Sequence, residues 1–173
     1  MIKYHWVIGM KIGIISVSDR CYRGECEDQS GPAIAGCVRE LSDATEYRLV
    51  PDEQALIKQA LLELADEARC DVIFTTGGTG FAPRDVTPEA TKAVLERETP
   101  GVSEAIRMKS LEITNRAMLS RAVSGIRGKT LIINLPGSPK AVRESLGVVL
   151  PVLPHAVETL GGNTLSCGGN YGK

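Results

Sequence analysis

The stretch DVIFTTGGTG, Asp71 to Gly80, decides the fold. Val72, Ile73 and Phe74 run apolar without alternation, and the run stops in a turn with glycine at 77, 78 and 80. A strand with one face in water would alternate apolar and polar residues. A continuous apolar run closed by glycines reads instead as a strand buried on both faces, the kind found in parallel sheets under helices. Two more runs of this type flank it, KIGIISV (Lys11 to Val17) and TLIINL (Thr130 to Leu135), and Ala44 to Val50 reads as a fourth strand.

Helical signals fill the gaps between them. Ser30-Gly31-Pro32 opens a helix to about Leu41, with proline tolerated in the first turn. After Pro51-Asp52 a helix continues through Ala68, with Leu56, Ala60, Leu61, Leu64 and Ala65 in helical rhythm. Thr87-Pro88 starts a helix to about Arg97, Pro100-Gly101 another through Ile113, and Ser138-Pro139 the last ones, punctuated by Pro151 and Pro154. Strand and helix alternate throughout, which predicts an α/β fold: a single three-layer α/β/α domain with a mostly parallel sheet. The domain is expected over 11–161, after an N-terminal extension at 1–10 and before a flexible Gly/Ser/Asn-rich tail at 162–173.

The 173 residues are 43% hydrophobic and 24% charged, too apolar for a disordered chain and enough for one core. No apolar run reaches the length of a membrane span. Only two histidines occur, His5 and His155, which leaves little room for histidine-rich metal sites. The five cysteines lack the C-x-x-C spacing of a zinc site and read as thiols of a reducing compartment, so the location expected is cytoplasmic. A net charge of −1 argues against nucleic acid as a partner. That total conceals a net of −7 up to Ile106 and +6 from Arg107 onward. The cations Arg107, Lys109, Arg116, Arg121, Arg127 and Lys129 form either a solvated face or a basic wall for phosphates.

In open parallel sheets, ligands bind outside the carboxyl ends of the strands. Four loops leave those ends here: Ser18 to Arg20, Pro51-Asp52, Gly77 to Asp85 and Pro136 to Pro139. The glycines after Thr76 let backbone N–H groups approach a ligand without Cβ obstruction, so the turn can cradle a phosphate, or it can be a tight loop and nothing more. It is not G-x-G-x-x-G, because Phe81 and Ala82 follow Gly80, and this disfavours a nicotinamide-dependent dehydrogenase. Gly128-Lys129-Thr130 ends like a P-loop, but Val123 stands where the first glycine would be. Asp52 and Asp85 each follow a strand and fall at the same sheet edge. As a pair beside a phosphate cradle they suit Mg²⁺; singly, Asp52 could cap a helix and Asp85 could pair with Arg84 or hold a turn. Asn134 to Pro139 is a second strand-to-helix loop, with Ser138 either a helix cap or part of an anion site.

These residues resemble a known family. TTGGTGFAPRDVTPEAT (Thr75 to Thr91), RETPG (Arg97 to Gly101), AMLSR (Ala117 to Arg121), GIRGKTLIINLPGSP (Gly125 to Pro139) and SVSDR (Ser16 to Arg20) look like the molybdenum-cofactor biosynthesis family, of the MogA and gephyrin G-domain type, with MoaB as a close paralogue. The resemblance spans about Lys11 to Leu160. It implies a molybdopterin adenylyltransferase that uses ATP and Mg²⁺ to attach AMP to the terminal phosphate of molybdopterin, releasing pyrophosphate. It further implies Asp52 and Asp85 as the essential acids and as Mg²⁺ ligands. Thr76, Gly77, Gly78, Thr79 and Gly80 become the pterin and phosphate loop, joined by Ser110, Ser120, Pro136, Gly137 and Ser138. A homotrimer is implied too, with docking to other molybdenum-cofactor enzymes. The alternative is a non-catalytic molybdopterin carrier of the MoaB type.

Overall fold

β1 (Met10–Val17) lies inside the sheet, with β2 (Ser42–Val50) on one side and β3 (Val72–Thr76) on the other, both parallel to it. β6 (Thr130–Leu135) pairs parallel to β3, and beyond it β5 (Ser124–Arg127) and β4 (Arg97–Glu98) complete the order β2-β1-β3-β6-β5-β4. The computed structural model describes residues 9–162. The extension before Gly9, the tail beyond Gly162 and Cys167 lie outside the described residues.

Every residue of β3 and β6 is buried, which explains their unbroken apolar runs. Side chains still alternate between faces. Ile12, Ile14, Phe74, Ile133 and Leu135 face one core, against α2 (Ser30–Val38), α5 (Pro100–Leu111), α6 (Pro139–Val149) and α7 (Leu153–Leu160). Ile15, Val17, Ile73 and Ile132 face the other, against α3 (Gln54–Leu62) and α4 (Thr87–Lys92). Both faces are thus covered and the three-layer architecture stands.

The elements differ from expectation at four places. The helix from Thr87 ends at Lys92, and Arg97–Glu98 forms a short strand, β4. A further strand, β5 (Ser124–Arg127), pairs antiparallel with both β4 and β6. It returns into β6 through Gly128, whose φ of 54° suits a residue without Cβ. The helix through Ala68 is α3 followed by a π-helical turn, Glu63–Glu67. A one-turn helix, α1 (Asp19–Tyr22), sits in the loop after β1, capped by Ser18.

Candidate active site

All four expected loops open at one edge, because the strands before them run parallel. The glycine turn sits in the middle, and its glycines meet different neighbours. At Gly77, with φ 95°, an added Cβ would lie 2.2 Å from the backbone oxygen of Val17, so the turn presses directly on β1. At Gly78, with φ 62°, it would lie 2.4 Å from Thr87 Oγ1 and 3.0 Å from Asp52 Oδ1. At Gly80 it would meet only Asp85, with Oδ2 at 2.9 Å. The absence of side chains on Gly78 and Gly80 therefore makes room for the carboxylates of Asp52 and Asp85. The Thr87 hydroxyl, at the start of α4, fastens the turn by donating to Gly77 O at 2.9 Å.

Asp52 does not cap α3. Its Oδ2 accepts from the backbone N–H of Asp19 at 2.8 Å, and its own backbone N–H donates to Asp19 Oδ1 at 3.1 Å. Asp85 does not pair with Arg84; its Oδ2 accepts from Ala82 N at 2.9 Å and closes its own turn. Each acid keeps its Oδ1 without a protein partner among the described residues. Two free carboxylate oxygens at one cradle fit Mg²⁺, which takes one or two carboxylates and completes its shell with phosphates and water. Among the described residues no group of three or more His, Cys, Asp or Glu is set to hold a metal, so substrate would have to supply the rest. Burial pushes the Asp52 carboxyl above its ordinary range, with the charges of Asp19 and Asp85 adding to the effect. Hydrogen bonding from Arg84 holds that of Asp19 below it.

The remaining expected residues divide between two hollows on either side of Pro136 and Gly137. One, of about 250 Å³, is lined by Ser16, Asp28, Ser30, Thr76, Gly77 and Gly137 among others. Asp28 organises its wall. Its Oδ2 accepts from the hydroxyls of Ser16 at 2.6 Å and Tyr47 at 2.8 Å, and its carboxylate also takes the first N–H groups of α2. Burial and the Asp28 bond push the Tyr47 phenol up to about 12, so it stays a donor. The other hollow, about 40 Å³, brings Ser110, Ser120 and Pro136 together with Ser103, Arg107 and Asn134. Thr79 is buried, and its carbonyl accepts from Arg121 N at 2.9 Å. Two hydroxyls have local duties: Thr76 Oγ1 donates to Pro136 O at 2.7 Å, and Ser138 Oγ caps α6 by accepting from Ala141 N at 3.2 Å.

The cations from Arg107 to Lys129 do not form one basic wall. Arg127 and Lys129 lie at the opposite sheet end, around a hollow with Asp66 and Arg69, because they precede β6. Arg127 is paired there with Asp66 at 2.7 Å. Arg107 donates to Ser120 O and Ala122 O, and Lys109 pairs with Glu112. Arg121 braces the glycine turn by donating to Gly80 O at 2.7 Å, to Asp85 O and to Glu89. Sequence reasoning missed the duties of Asp19, Asp28, Arg84 and Arg121. Asp19 and Arg84 carried a signal, their places in loops at the carboxyl ends of strands.

Known proteins share this arrangement of elements. Residues 13–155 match the family described as "Probable molybdopterin binding domain". The molybdopterin adenylyltransferase of Helicobacter pylori strain J99 is 49% identical over 155 residues, covering 88% of each chain. That of Escherichia coli K12 is 48% identical over 140 residues, 79% of this chain and 72% of its own. The crystal structure of the molybdopterin biosynthesis enzyme MoaB from Thermus thermophilus superposes with a TM-score of 0.84 at 51% identity, over 88% of this chain and 97% of its own. A structure of MogA superposes with a TM-score of 0.82 at 44% identity, over 87% and 99%. The names MogA and MoaB are therefore not separated by identity to this sequence, and both lie on its fold. The chain belongs to the molybdopterin-binding-domain family of molybdenum-cofactor biosynthesis.

Proposed function

We infer that this protein is a molybdopterin adenylyltransferase that takes ATP as its second substrate. The observation that carries the reading is the pair Asp52 and Asp85, brought from two loops against Gly78 and Gly80 with one free carboxylate oxygen each. The relatives named for this activity, at about half identity along nearly the whole domain, support it.

A terminal phosphate oxygen of molybdopterin attacks the α-phosphorus of ATP. A new P–O bond forms there as the bond from the α-phosphorus to the bridging oxygen breaks, and pyrophosphate leaves. The nucleophile is already an anion at neutral pH, so no side chain has to remove a proton. The protein's task is to align two anions and bear their charge. The glycine turn Thr76 to Gly80 holds phosphate by its backbone, and the larger hollow beside Gly137, about 250 Å³, takes part of a substrate. Ser110 and Ser120 offer hydroxyls in the smaller hollow, and the Pro136 to Ser138 loop separates the two. Asp52 and Asp85 would hold Mg²⁺, which when bound neutralises charge on the triphosphate.

A homotrimer is part of this reading. Met108 (69% exposed), Met118 (61%), Ile113 and Leu119 form an apolar surface on α5 and the turn after it, of the kind that partner copies cover. A cytoplasmic location is part of it too; among the described residues no helix is long and apolar enough to cross a membrane.

The test is to incubate the protein with molybdopterin, ATP and Mg²⁺ and to follow adenylyl-molybdopterin and pyrophosphate. Native protein should form both, and Asp52→Asn, Asp85→Asn or chelation of Mg²⁺ should abolish both. Asp85→Asn with full turnover would overturn the assignment of that residue. Tight molybdopterin binding by the native protein without product would establish a carrier in place of an enzyme.

A further inference from the structure

We propose that Arg84 is a positioning residue for adenylyl transfer, fixing the separation of Asp52 and Asp85 through Asp19. This rests on the reading of the site given above. The Arg84 guanidinium donates twice to Asp19, from Nε to Oδ2 at 3.0 Å and from Nη2 to Oδ1 at 2.9 Å, and once to Glu53 at 2.8 Å. Asp19 and Asp52 are in turn locked by two reciprocal backbone-to-carboxylate bonds. Asp85 is the next residue after Arg84, and its turn is closed both by its side chain and by its N–H to Ala82 O at 2.9 Å. One planar fork therefore ties together the loops after β1, β2 and β3, and those loops carry the two acids.

The arrangement is poorly explained as a stabilising ion pair. The Arg84 side chain is 54% exposed, and exposed pairs contribute little to folding. It is well explained as a spacer. A bidentate Arg–carboxylate contact fixes direction as well as distance, which a lysine ammonium cannot do. No atom of Arg84 needs to touch substrate for this role.

Arg84→Lys, Arg84→Ala and Asp19→Asn should be compared with the native protein for kcat and for KM toward molybdopterin and ATP. Thermal midpoint should be read alongside, with Mn²⁺ affinity from the free-ion EPR signal in the presence of a non-hydrolysable ATP analogue. A displacement of reacting groups by about 1 Å costs on the order of 100-fold in rate. Arg84→Lys is therefore expected to lose roughly 10- to 100-fold in kcat and to weaken Mn²⁺ several-fold. Its thermal midpoint and its KM for molybdopterin should stay close to native. Because lysine keeps the charge, failure of Arg84→Lys to rescue Arg84→Ala identifies the fork as the working feature. Native kcat and Mn²⁺ affinity in Arg84→Lys would overturn the proposal. So would a loss confined to the KM for ATP, which would make Arg84 a phosphate ligand, or a kcat that falls only in step with the thermal midpoint. Absence of product from the native protein would overturn adenylyl transfer, and the proposal with it.

Discussion

Substituting Gly80 by alanine separates site geometry from folding. The added Cβ would stand 2.9 Å from Asp85 Oδ2, where ordinary contact begins at 3.4 Å, and nothing else crowds it. The carboxylate must give way by about half an ångström, which strains its bond to Ala82 N. Losing that bond would cost about 0.5–1.5 kcal/mol. Gly80 has no left-handed backbone, so the lower chain entropy of alanine returns about 0.4–1 kcal/mol. The two nearly cancel, and for a protein of this size the thermal midpoint should move by less than about 4 °C. The rate should not be spared. With about 100-fold per ångström of misplacement as the scale, half an ångström at Asp85 should lower kcat by on the order of tenfold. Gly77→Ala gives the contrast, since its Cβ would meet the Val17 oxygen at 2.2 Å on a backbone of φ 95°. The left-handed conformation alone costs about 1–2 kcal/mol there, before the backbone clash. Adenylyl transfer and a thermal melt on the two variants decide the matter. Full turnover by Gly80→Ala would refute the idea that this loop seats Asp85; a melt as damaged as that of Gly77→Ala would refute the separation.

Two further outcomes are expected. Asn134 is fully buried, donating to the hydroxyls of Thr75 at 2.8 Å and Thr91 at 2.9 Å and accepting from Val123 N at 3.2 Å. Asn134→Leu keeps the branched shape and the number of heavy atoms but strands those partners, which should cost about 3 kcal/mol and lower the thermal midpoint by roughly 6–12 °C; a drop under about 2 °C would show that the partners find water or one another. Asp52→Asn, in Mg²⁺-free buffer, should melt higher than the native protein at neutral pH. The folded pKa of Asp52 is raised above 3.8 chiefly by burial, so its contribution is favourable only below that value and is lost as pH rises through the folded pKa. The advantage of the variant should shrink to nothing as pH falls toward that ordinary value, and an advantage that grows on acidification would reverse the argument.

The inner parallel strands β1, β3 and β6 were legible because they are buried on both faces and therefore mostly apolar. Ile132 and Ile133 point into opposite cores, yet both must be hydrophobic. The antiparallel edge was not legible for the same reason turned round. β4 has two residues and β5 four, too few to show a period, and Arg97–Glu98 at the end of a helical rhythm looks helical until Gly125 and Ile126 supply the pairing. The placement of the site followed from topology, since four loops leaving parallel strands must open at one edge. Its bracing did not follow. The bond between Asp19 and Asp52 joins residues 33 apart, and nothing local to either marks it. The basic segment misled because net charge was read without direction. The chain crosses the whole sheet between Arg121 and Arg127, and so the cations separate to opposite ends.

The glycine turn shows how far a motif can be read before its neighbours are known. In TTGGTG the glycines look interchangeable, each a means of bringing backbone N–H groups near an anion. In the fold they are three separate constraints. Gly77 lets the turn lie on the carbonyl of β1, Gly78 admits the Thr87 hydroxyl and Asp52, and Gly80 admits Asp85. The first belongs to folding and the last to the site, with Gly78 shared between them. Both acids stand beside the loop. Two guanidinium forks keep them there: Arg84 leaves this loop to grip Asp19, and Arg121 reaches in to hold the carbonyls of Gly80 and Asp85. The glycine turn and the acid pair are thus one structure, so the glycines shape the site through the room they leave rather than through any group they add.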